Sequence, residues 1–299
     1  MVTLDLKGYL KENKKMVDKF LDDYLPKADV HPIALHEAIR YSLFAGGKRV
    51  RPILCIASCE AVGGDIDTVL PVASAIELIH TYSLIHDDLP AMDNDDYRRG
   101  RPTNHKMYGE AIAILAGDAL LTLAFDLLSD KELNSSLDSN SLLSIIKMLS
   151  SASGSAGMVG GQAADIQASG KELNLPEVEY IHIHKTGALI RASVCIGAIA
   201  GNASNDELNA LTRYGECIGL AFQIADDILD IEGSRDEIGK DVGSDIAKEK
   251  VTYPSVIGIS ESKKLAKELI GKAIGAISTL GEKAEPLREI ARYVVERKS

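Results

Sequence analysis

IHTYSLIHDDLPAMD, residues 79–93, carries a long apolar run into a pair of aspartates, and IGLAFQIADDILD, residues 218–230, does the same much later in the chain. Aligned from Ile79 and Ile218, the two stretches place Ile85 over Ile224 and their Asp-Asp pairs in register. Residues 69–88 and 211–231 are apolar nearly all round, the pattern of helices enclosed by other helices. Paired carboxylates at the end of a buried helix repel each other and lose hydration, so both ends require compensating cations.

Outward from these two helices the helical period recurs almost everywhere. In residues 9–25, Leu10, Met16, Val17, Phe20, Leu21, Tyr24 and Leu25 form one apolar stripe that stops at Pro26. The same reading predicts helices over 34–45, 52–62, 67–88, 108–129, 138–153, 158–168, 176–200, 205–232, 246–258, 261–280 and 283–297. Strand-like alternation is nearly absent. No long Pro/Gly/Ser-rich linker divides the chain, and ELNSSLDSNS at 132–141 reads as a surface connection. With 299 residues, 45% of them apolar, no Trp and only four Phe, the expectation is an all-α fold packed through aliphatic side chains, one domain spanning 1–299.

A formal net charge of −11 argues against nucleic acid or an anionic membrane surface as partner. Anionic small molecules then require local clusters of Lys and Arg, or a metal. The four cysteines, Cys55, Cys59, Cys195 and Cys217, form no CxxC pair and read as buried thiols of a reducing compartment. The apolar runs ILAGDALLTLAFDLL and ALIRASVCIGAIAG are interrupted by Asp or Arg short of the ~18 residues that span a bilayer. The N-terminal MVTLDLKGYLKENKKM has no apolar core of signal-peptide type. A cytoplasmic protein without membrane insertion is expected.

The aspartates have a geometry of their own. Asp226 and Asp230 lie four apart, about 40° from each other on one helix face. Asp87 and Asp93 are six apart, which a straight helix would send to different faces. Pro90 disfavours helical geometry at Leu89 and removes a backbone donor, so the chain should loosen there and bring Asp93 back towards Asp87. An all-carboxylate set without Cys or paired His indicates a hard cation, Mg²⁺ before others, which bridges a few carboxylates to substrate phosphates. The basic groups complete the pattern: Lys48, Arg49 and Arg51 in GGKRVRP, Arg98, Arg99 and Arg101 in RRGRP, and Lys185, Lys240 and Lys250 later. Arginine's planar fork and lysine's point charge both suit phosphate oxygens. His182 and His184 are two apart, hence on different faces, and make no metal pair.

Together DDLPAMD, DDILD, GGKRVRP, RRGRPTNH, HKTGALI, FQIADDILD and GKDVGSD…KVTYP, in this order through nearly the whole chain, resemble the trans-isoprenyl diphosphate synthases. The resemblance implies a bundle of ten or more helices around a deep central cavity, usually in a homodimer. It implies an enzyme that ionises an allylic diphosphate and joins the cation to isopentenyl diphosphate. By position, Asp87 and Asp93 would bind two Mg²⁺ and Asp226 a third, supported by Asp88, Asp227 and Asp230, with Mn²⁺ as a substitute. Arg98, Lys185, Thr186, Gln223 and Lys240 would hold the allylic diphosphate or flank its reacting end. Lys48, Arg51, His80 and Arg99 would hold isopentenyl diphosphate, with Lys250 a further substrate-binding cation. The catalytic set is then Asp87, Asp93, Asp226, Lys185, Gln223 and Lys240, and no protein general base is assigned.

Tyr82 stands five residues before Asp87, about 7.5 Å further along the same helix. An aromatic there, with small Ser83 beside it, would act as a floor for the growing chain and resembles the C15-producing members. Farnesyl diphosphate is the expected product, with geranylgeranyl diphosphate the alternative and a non-catalytic regulatory subunit a lesser one, since both aspartate clusters are intact. A class I terpene cyclase needs only one diphosphate site and usually replaces the second aspartate motif. Tyr97 departs from the Leu common before RRG. The C-terminal ERKS is expected to close over the isopentenyl diphosphate site.

Overall fold

The computed structural model describes residues 4–232 and 251–296. Helices α1 (Leu6–Tyr24), α2 (Ile33–Leu43), α3 (Val50–Ala61) and α4 (Ile66–Asp87) lead to a small hairpin, β1 (Tyr97–Arg98) and β2 (Arg101–Pro102). Then follow α5 (Asn104–Tyr108), α6 (Glu110–Ser129), α7 (Ser139–Ser153), α8 (Met158–Ala168) and α9 (Leu175–His182). A π-helical turn, Ile183–Gly187, runs into α10 (Ala188–Ala200), and α11 (Asn205–Glu232) comes next. After the undescribed segment lie α12 (Tyr253–Ile257), α13 (Ile259–Ala276) and α14 (Glu285–Glu296). The expected all-α architecture holds. Helix starts carry the caps the sequence supplies: Asp5 accepts from the Gly8 N–H at 3.1 Å, and Asn174 and Glu177 form a capping box at α9.

The core has two halves. In one, α4 is packed against α1, α2 and α6, and α7 joins through α10, with Val17, Leu21, Leu43, Ile76, Ile79, Leu120, Leu127 and Leu149 in the cluster. In the other, α11 is surrounded by α13 and α14 through Tyr214, Ile218, Ile224, Leu269, Ile270, Leu287 and Ile290. Helices α3 and α10 serve both halves: Ile53 and Val194 belong to the second, Ile56 and Ile196 to the first. Each fully buried Leu or Ile contributes roughly 1.5–3 kcal/mol of transfer free energy. Close approach of α3 and α10 depends on Gly197, where a Cβ would lie 2.0 Å from the Cys55 carbonyl oxygen. The two aspartate-ended helices are thus each central to one half, as their all-round apolarity predicts.

Several expectations are corrected. The stretch 176–200 is interrupted by the π turn, and 108–129 is two helices divided at Gly109, whose φ is 83°. The hairpin is not anticipated by the sequence pattern, because strands of two residues are too short to show a period. Of 246–258, only Tyr253–Ile257 is helical among the described residues. Four helical stretches, among them Ile66–Asp87 and Glu110–Ser129, are also long and apolar enough to cross a membrane by length and composition, despite their interrupting charges. For Ile66–Asp87 the packing accounts for this, since 78% of its most apolar window is buried in the protein. For Glu110–Ser129 only 39% is buried, and Ile114 and Leu115 are exposed. Cys55, Cys59 and Cys195 are buried free thiols, and Cys217 is half-buried.

Candidate active site

The end of α4 is finished by a tight curl. The helix stops at Asp87, one residue earlier than Pro90 alone requires, and the Asp93 N–H donates to the Asp87 carbonyl at 2.9 Å. Asn94, at φ 49°, donates to the Leu89 carbonyl and closes the curl. Asp93 is thereby returned to Asp87, as the Pro90 argument expects. Burial, then the neighbouring Asp93 and Asp88, push the Asp87 carboxyl up to about 6, against the opposing pull of Lys185 and Arg98.

Asp88 has another partner. It is 3% exposed, accepts from Arg98 Nε with both oxygens, at 2.7 and 2.8 Å, and pairs in charge with Arg98 Nη2 at 2.5 Å. Burial alone would lower the Arg98 pKa, but its bonds and charge contact with Asp88 hold it above its ordinary value. Arg98 comes from β1, and Arg99 and Gly100 form the turn with φ of 53° and 73°, the two positive values of a type I′ hairpin. Arg99 turns the other way: its Nη1 donates to the Gly46 carbonyl at 2.5 Å, and its guanidinium lies where a Gly47 Cβ would be.

This second direction leads to GGKRVRP. Arg51 Nη1 lies 3.4 Å from His80 Nε2 on α4. Burial, then Arg51, Arg99, Arg98 and Arg49, drive the His80 pKa well below 6.5, so its ring is neutral and Nε2 can accept from Arg51. Burial also lowers the pKa of Arg51 and of Arg99, with Glu77 opposing in both cases. Lys48 Nζ lies 5.9 Å from the Tyr293 ring and borders a cavity of about 340 Å³ that Val50, Ile53, Phe222 and Val294 also line.

The end of α11 is finished by side chains and backbone from other elements. Asp227 is 2% exposed; it accepts from Gln223 Nε2 at 2.9 Å and from the Tyr253 N–H at 3.0 Å. Gln223 Oε1 in turn accepts from Thr186 Oγ1 at 2.9 Å. Thr186 and Lys185 sit in the π turn, a distortion common at functional sites. Glycines make room for it: a Cβ on Gly219 would lie 2.9 Å from Gly187 Cα, and one on Gly161 would lie 2.1 Å from the Lys185 nitrogen. Lys185 Nζ donates to Asp165 on α8 at 2.6 Å. Asp230 is buried and Asp226 half-buried, and Asp226 is close enough to act on the charge of Arg51.

The donors at the two helix ends fit a hard divalent cation. They are carboxylate oxygens, and the Asp87 carboxyl, raised first by burial and then by Asp93 and Asp88, is a desolvated anion whose charge such a cation would compensate. Among the described residues no three His, Cys, Asp or Glu side chains form a closed cage. A shell completed by phosphate and water is the ordinary arrangement for Mg²⁺.

The structure therefore brings together Asp87, Asp88, Asp93, Arg98 and Lys185 on one side, and Arg51, His80 and Arg99 on the other, with Thr186, Gln223 and Asp227 forming one hydrogen-bonded chain. Lys240, Lys250 and the last residues of ERKS lie outside the described residues. Tyr82 is 6% exposed; burial and then Asp87 push its hydroxyl up to about 12. Its ring meets the His86 ring edge-on at 5.8 Å, and His86 Nε2 lies 3.0 Å from the Ile114 carbonyl of α6. The Ser83 hydroxyl is turned to the His80 carbonyl at 2.9 Å. Sequence reasoning missed Asp165, the partner of Lys185, and Gln162, a buried amide with no hydrogen-bond partner for either polar atom among the described residues. The only available signal was the polar pair within GGQAAD on an otherwise apolar helix.

The chain belongs to the polyprenyl synthetase family, whose model matches residues 32–290. It is a short-chain prenyl diphosphate synthase, a prenyltransferase of isoprenoid biosynthesis that uses isopentenyl and allylic diphosphates. It is 49% identical to the farnesyl diphosphate synthase of Micrococcus luteus, over 98% of this chain and 99% of that one. It is 47% identical to the geranylgeranyl diphosphate synthase of Cyanophora paradoxa, over 98% and 97%. An FPP/GFPP synthase of Zymomonas mobilis, solved as an apo crystal structure, superposes with a TM-score of 0.87 at 41% identity, covering 97% of this chain and 99% of that one.

Proposed function

We propose that this chain is a Mg²⁺-dependent farnesyl diphosphate synthase that condenses isopentenyl diphosphate with dimethylallyl and then geranyl diphosphate. The observation that carries the division of labour is the opposite electrostatic need of two adjoining regions. At Asp87 burial, and after it the neighbouring Asp93 and Asp88, raise the carboxyl pKa to about 6 against the pull of Lys185 and Arg98, whereas at Arg51 and Arg99 burial lowers the guanidinium pKa values. A metal diphosphate relieves the first, and a bare diphosphate relieves the second.

In this reading Asp87, Asp93 and Asp226 hold the Mg²⁺ ions with the allylic diphosphate. Bound there, Mg²⁺ supplies neutralisation of charge on the departing diphosphate. Lys185 and Arg98 add fixed positive charge on the same side, and Thr186 and Gln223 orient polar atoms from the π turn and α11 towards the reacting end. Lys48, Arg51, His80 and Arg99 hold isopentenyl diphosphate without metal, which leaves its carbon-oxygen bond intact. Neutral His80 offers orientation through Arg51 rather than charge. Asp88 and Asp227 position their neighbours: one is occupied by Arg98, the other by Gln223 and the Tyr253 N–H. Lys240 and Lys250 join the substrate-binding set by resemblance alone.

Tyr82, braced by His86 against α6, is read as the floor that stops growth at C15. A geranylgeranyl product remains the alternative, matching the name of the Cyanophora relative. The exposed apolar residues Ile114 and Leu115 of α6 support a homodimer, because an uncovered apolar helix face is costly in water. A cytoplasmic location is proposed with it.

The deciding assay incubates purified protein with Mg²⁺, labelled isopentenyl diphosphate and geranyl diphosphate, then resolves chain length after phosphatase treatment. A C15 alcohol is expected. A C20 alcohol would establish the alternative, and phosphate release without coupling would defeat the prenyltransferase mechanism drawn here.

A further inference from the structure

Lys48 in the loop before α3, Arg49 at its N-cap and Arg51 in its first turn follow closely on one another, and the middle cation is built unlike its neighbours. Arg49 is 2% exposed and adopts φ 54°, the left-handed region that disfavours a long side chain. Its guanidinium ties three helices together. Nε donates to Asp18 Oδ1 of α1 at 2.7 Å, Nη1 to Glu77 Oε1 of α4 at 2.8 Å, and Nη2 to the Leu43 carbonyl of α2 at 2.6 Å. Glu77 is itself 1% exposed. Burial pulls the Arg49 pKa down, but Glu77 and Asp18 more than restore it, so its charge is spent inside the protein.

Arg51, two residues on, has the opposite condition. Its one side-chain contact among the described hydrogen bonds is to His80, and its Nε is buried without a partner. The start of α3 therefore separates a cation that is fully used from one that is not. Three bonds in three directions demand arginine's planar fork, which lysine lacks. They also hold the backbone at the left-handed residue; if that residue relaxed, the side chains of Lys48 before it and Arg51 after it would be re-aimed together.

We infer that Arg49, clamped by Asp18 and Glu77, is a positioning residue for the isopentenyl diphosphate half-site: it touches no substrate and fixes the backbone from which Lys48 and Arg51 reach the diphosphate. This rests on reading Lys48, Arg51 and His80 as that half-site.

The test varies isopentenyl and geranyl diphosphate in turn for Arg49→Lys, Asp18→Asn and Arg51→Gln, with a circular-dichroism melt for each. Arg49→Lys is expected to raise KM for isopentenyl diphosphate about tenfold or more, the worth of one to two charge-assisted hydrogen bonds. KM for geranyl diphosphate and kcat should stay within about threefold. Asp18→Asn, which weakens one bond of three, should act in the same direction by about threefold. A folded Arg49→Lys enzyme with KM for isopentenyl diphosphate unchanged, or with both KM values raised equally, overturns the positioning role. If Arg49→Lys does not melt cooperatively, Asp18→Asn decides by the same criteria. Arg51→Gln separates the two levels. If it raises KM for isopentenyl diphosphate alone while both clamp variants are neutral, only the positioning role falls. If it acts instead on KM for geranyl diphosphate, the half-site reading and the inference fall together.

Discussion

The ends of α4 and α11 share an apolar register and an Asp pair, yet they are finished by different means. After Asp87 the chain curls at Pro90 and returns Asp93 by a backbone bond of 2.9 Å, and Asp88 is captured by Arg98 from the hairpin. After Asp226 the helix continues to Glu232 with Asp230 one turn on, and Asp227 is captured by Gln223 and the Tyr253 N–H. In each pair the second aspartate is 2–3% exposed and held, while the first is only half-buried. The comparison teaches that adjacent identical residues divide their work: the second anchors the helix end and, under the proposed function, the first faces the chemistry.

The division predicts its own tests. Asp87→Asn and Asp226→Asn should each lower kcat about a thousandfold or more, with little loss of melting temperature, because the lost charge acts in the transition state. An Asp227→Asn loss of kcat as large as that of Asp226→Asn, without destabilisation, would erase the distinction.

Next in size is a pH effect at one end only. The Asp87 pKa stands at about 6 in the fold against an ordinary value of 3.8, so the folded state binds more protons between those values. The stabilisation of the metal-free protein from this group should therefore be complete only below about pH 3.8, at most about 3 kcal/mol, and be lost as pH rises through 6, with about 1.4 kcal/mol of it between pH 5 and pH 7.5 and less after solvent screening. Asp87→Asn should remove that component, read as urea unfolding at pH 5 and pH 7.5. Asp226→Asn should leave it in place. Under the proposed function activity should show the mirror image, falling as pH drops below about 6, where protons would compete with Mg²⁺ for Asp87.

Smaller again, Asp88→Asn and Asp227→Asn should each cost about 1–3 kcal/mol of unfolding free energy by leaving a buried donor badly matched, measurable by chemical denaturation. The smallest effect on rate concerns Tyr82→Ala: kcat within a few-fold, but product analysis moving from C15 towards C20 and beyond. Unchanged product length would remove Tyr82 as the floor and shift attention to the α6 wall behind it.

How much of this was legible in the sequence depended on the range of the interaction. The two central helices, their aspartates and the break at Pro90 follow from local periodicity and backbone sterics. The hairpin hid because its strands contribute two residues each, although Arg99-Gly100 is a turn candidate. The π turn at Ile183–Gly187 hid because it depends on Gly187 meeting Gly219, a contact between elements that the period of either does not encode. Asp165 finds Lys185 across 20 residues, and Asp18 finds Arg49 across 31, so no window of the chain connects them. In GGKRVRP itself, Lys48, Arg49 and Arg51 look equivalent as letters, and burial and partners alone separate the clamp from the cations it presents.

The type I′ hairpin sets a length as well as a direction. Arg98 and Arg99 are consecutive, their Cα atoms about 3.8 Å apart, yet one is turned to the aspartate end of α4 and the other to the GGKRVRP loop. Under the proposed function the two diphosphates are thus gauged from a single peptide unit, which acts as a rigid spacer between the reacting partners. A one-residue insertion there would put the substrates out of step even if every ligand survived.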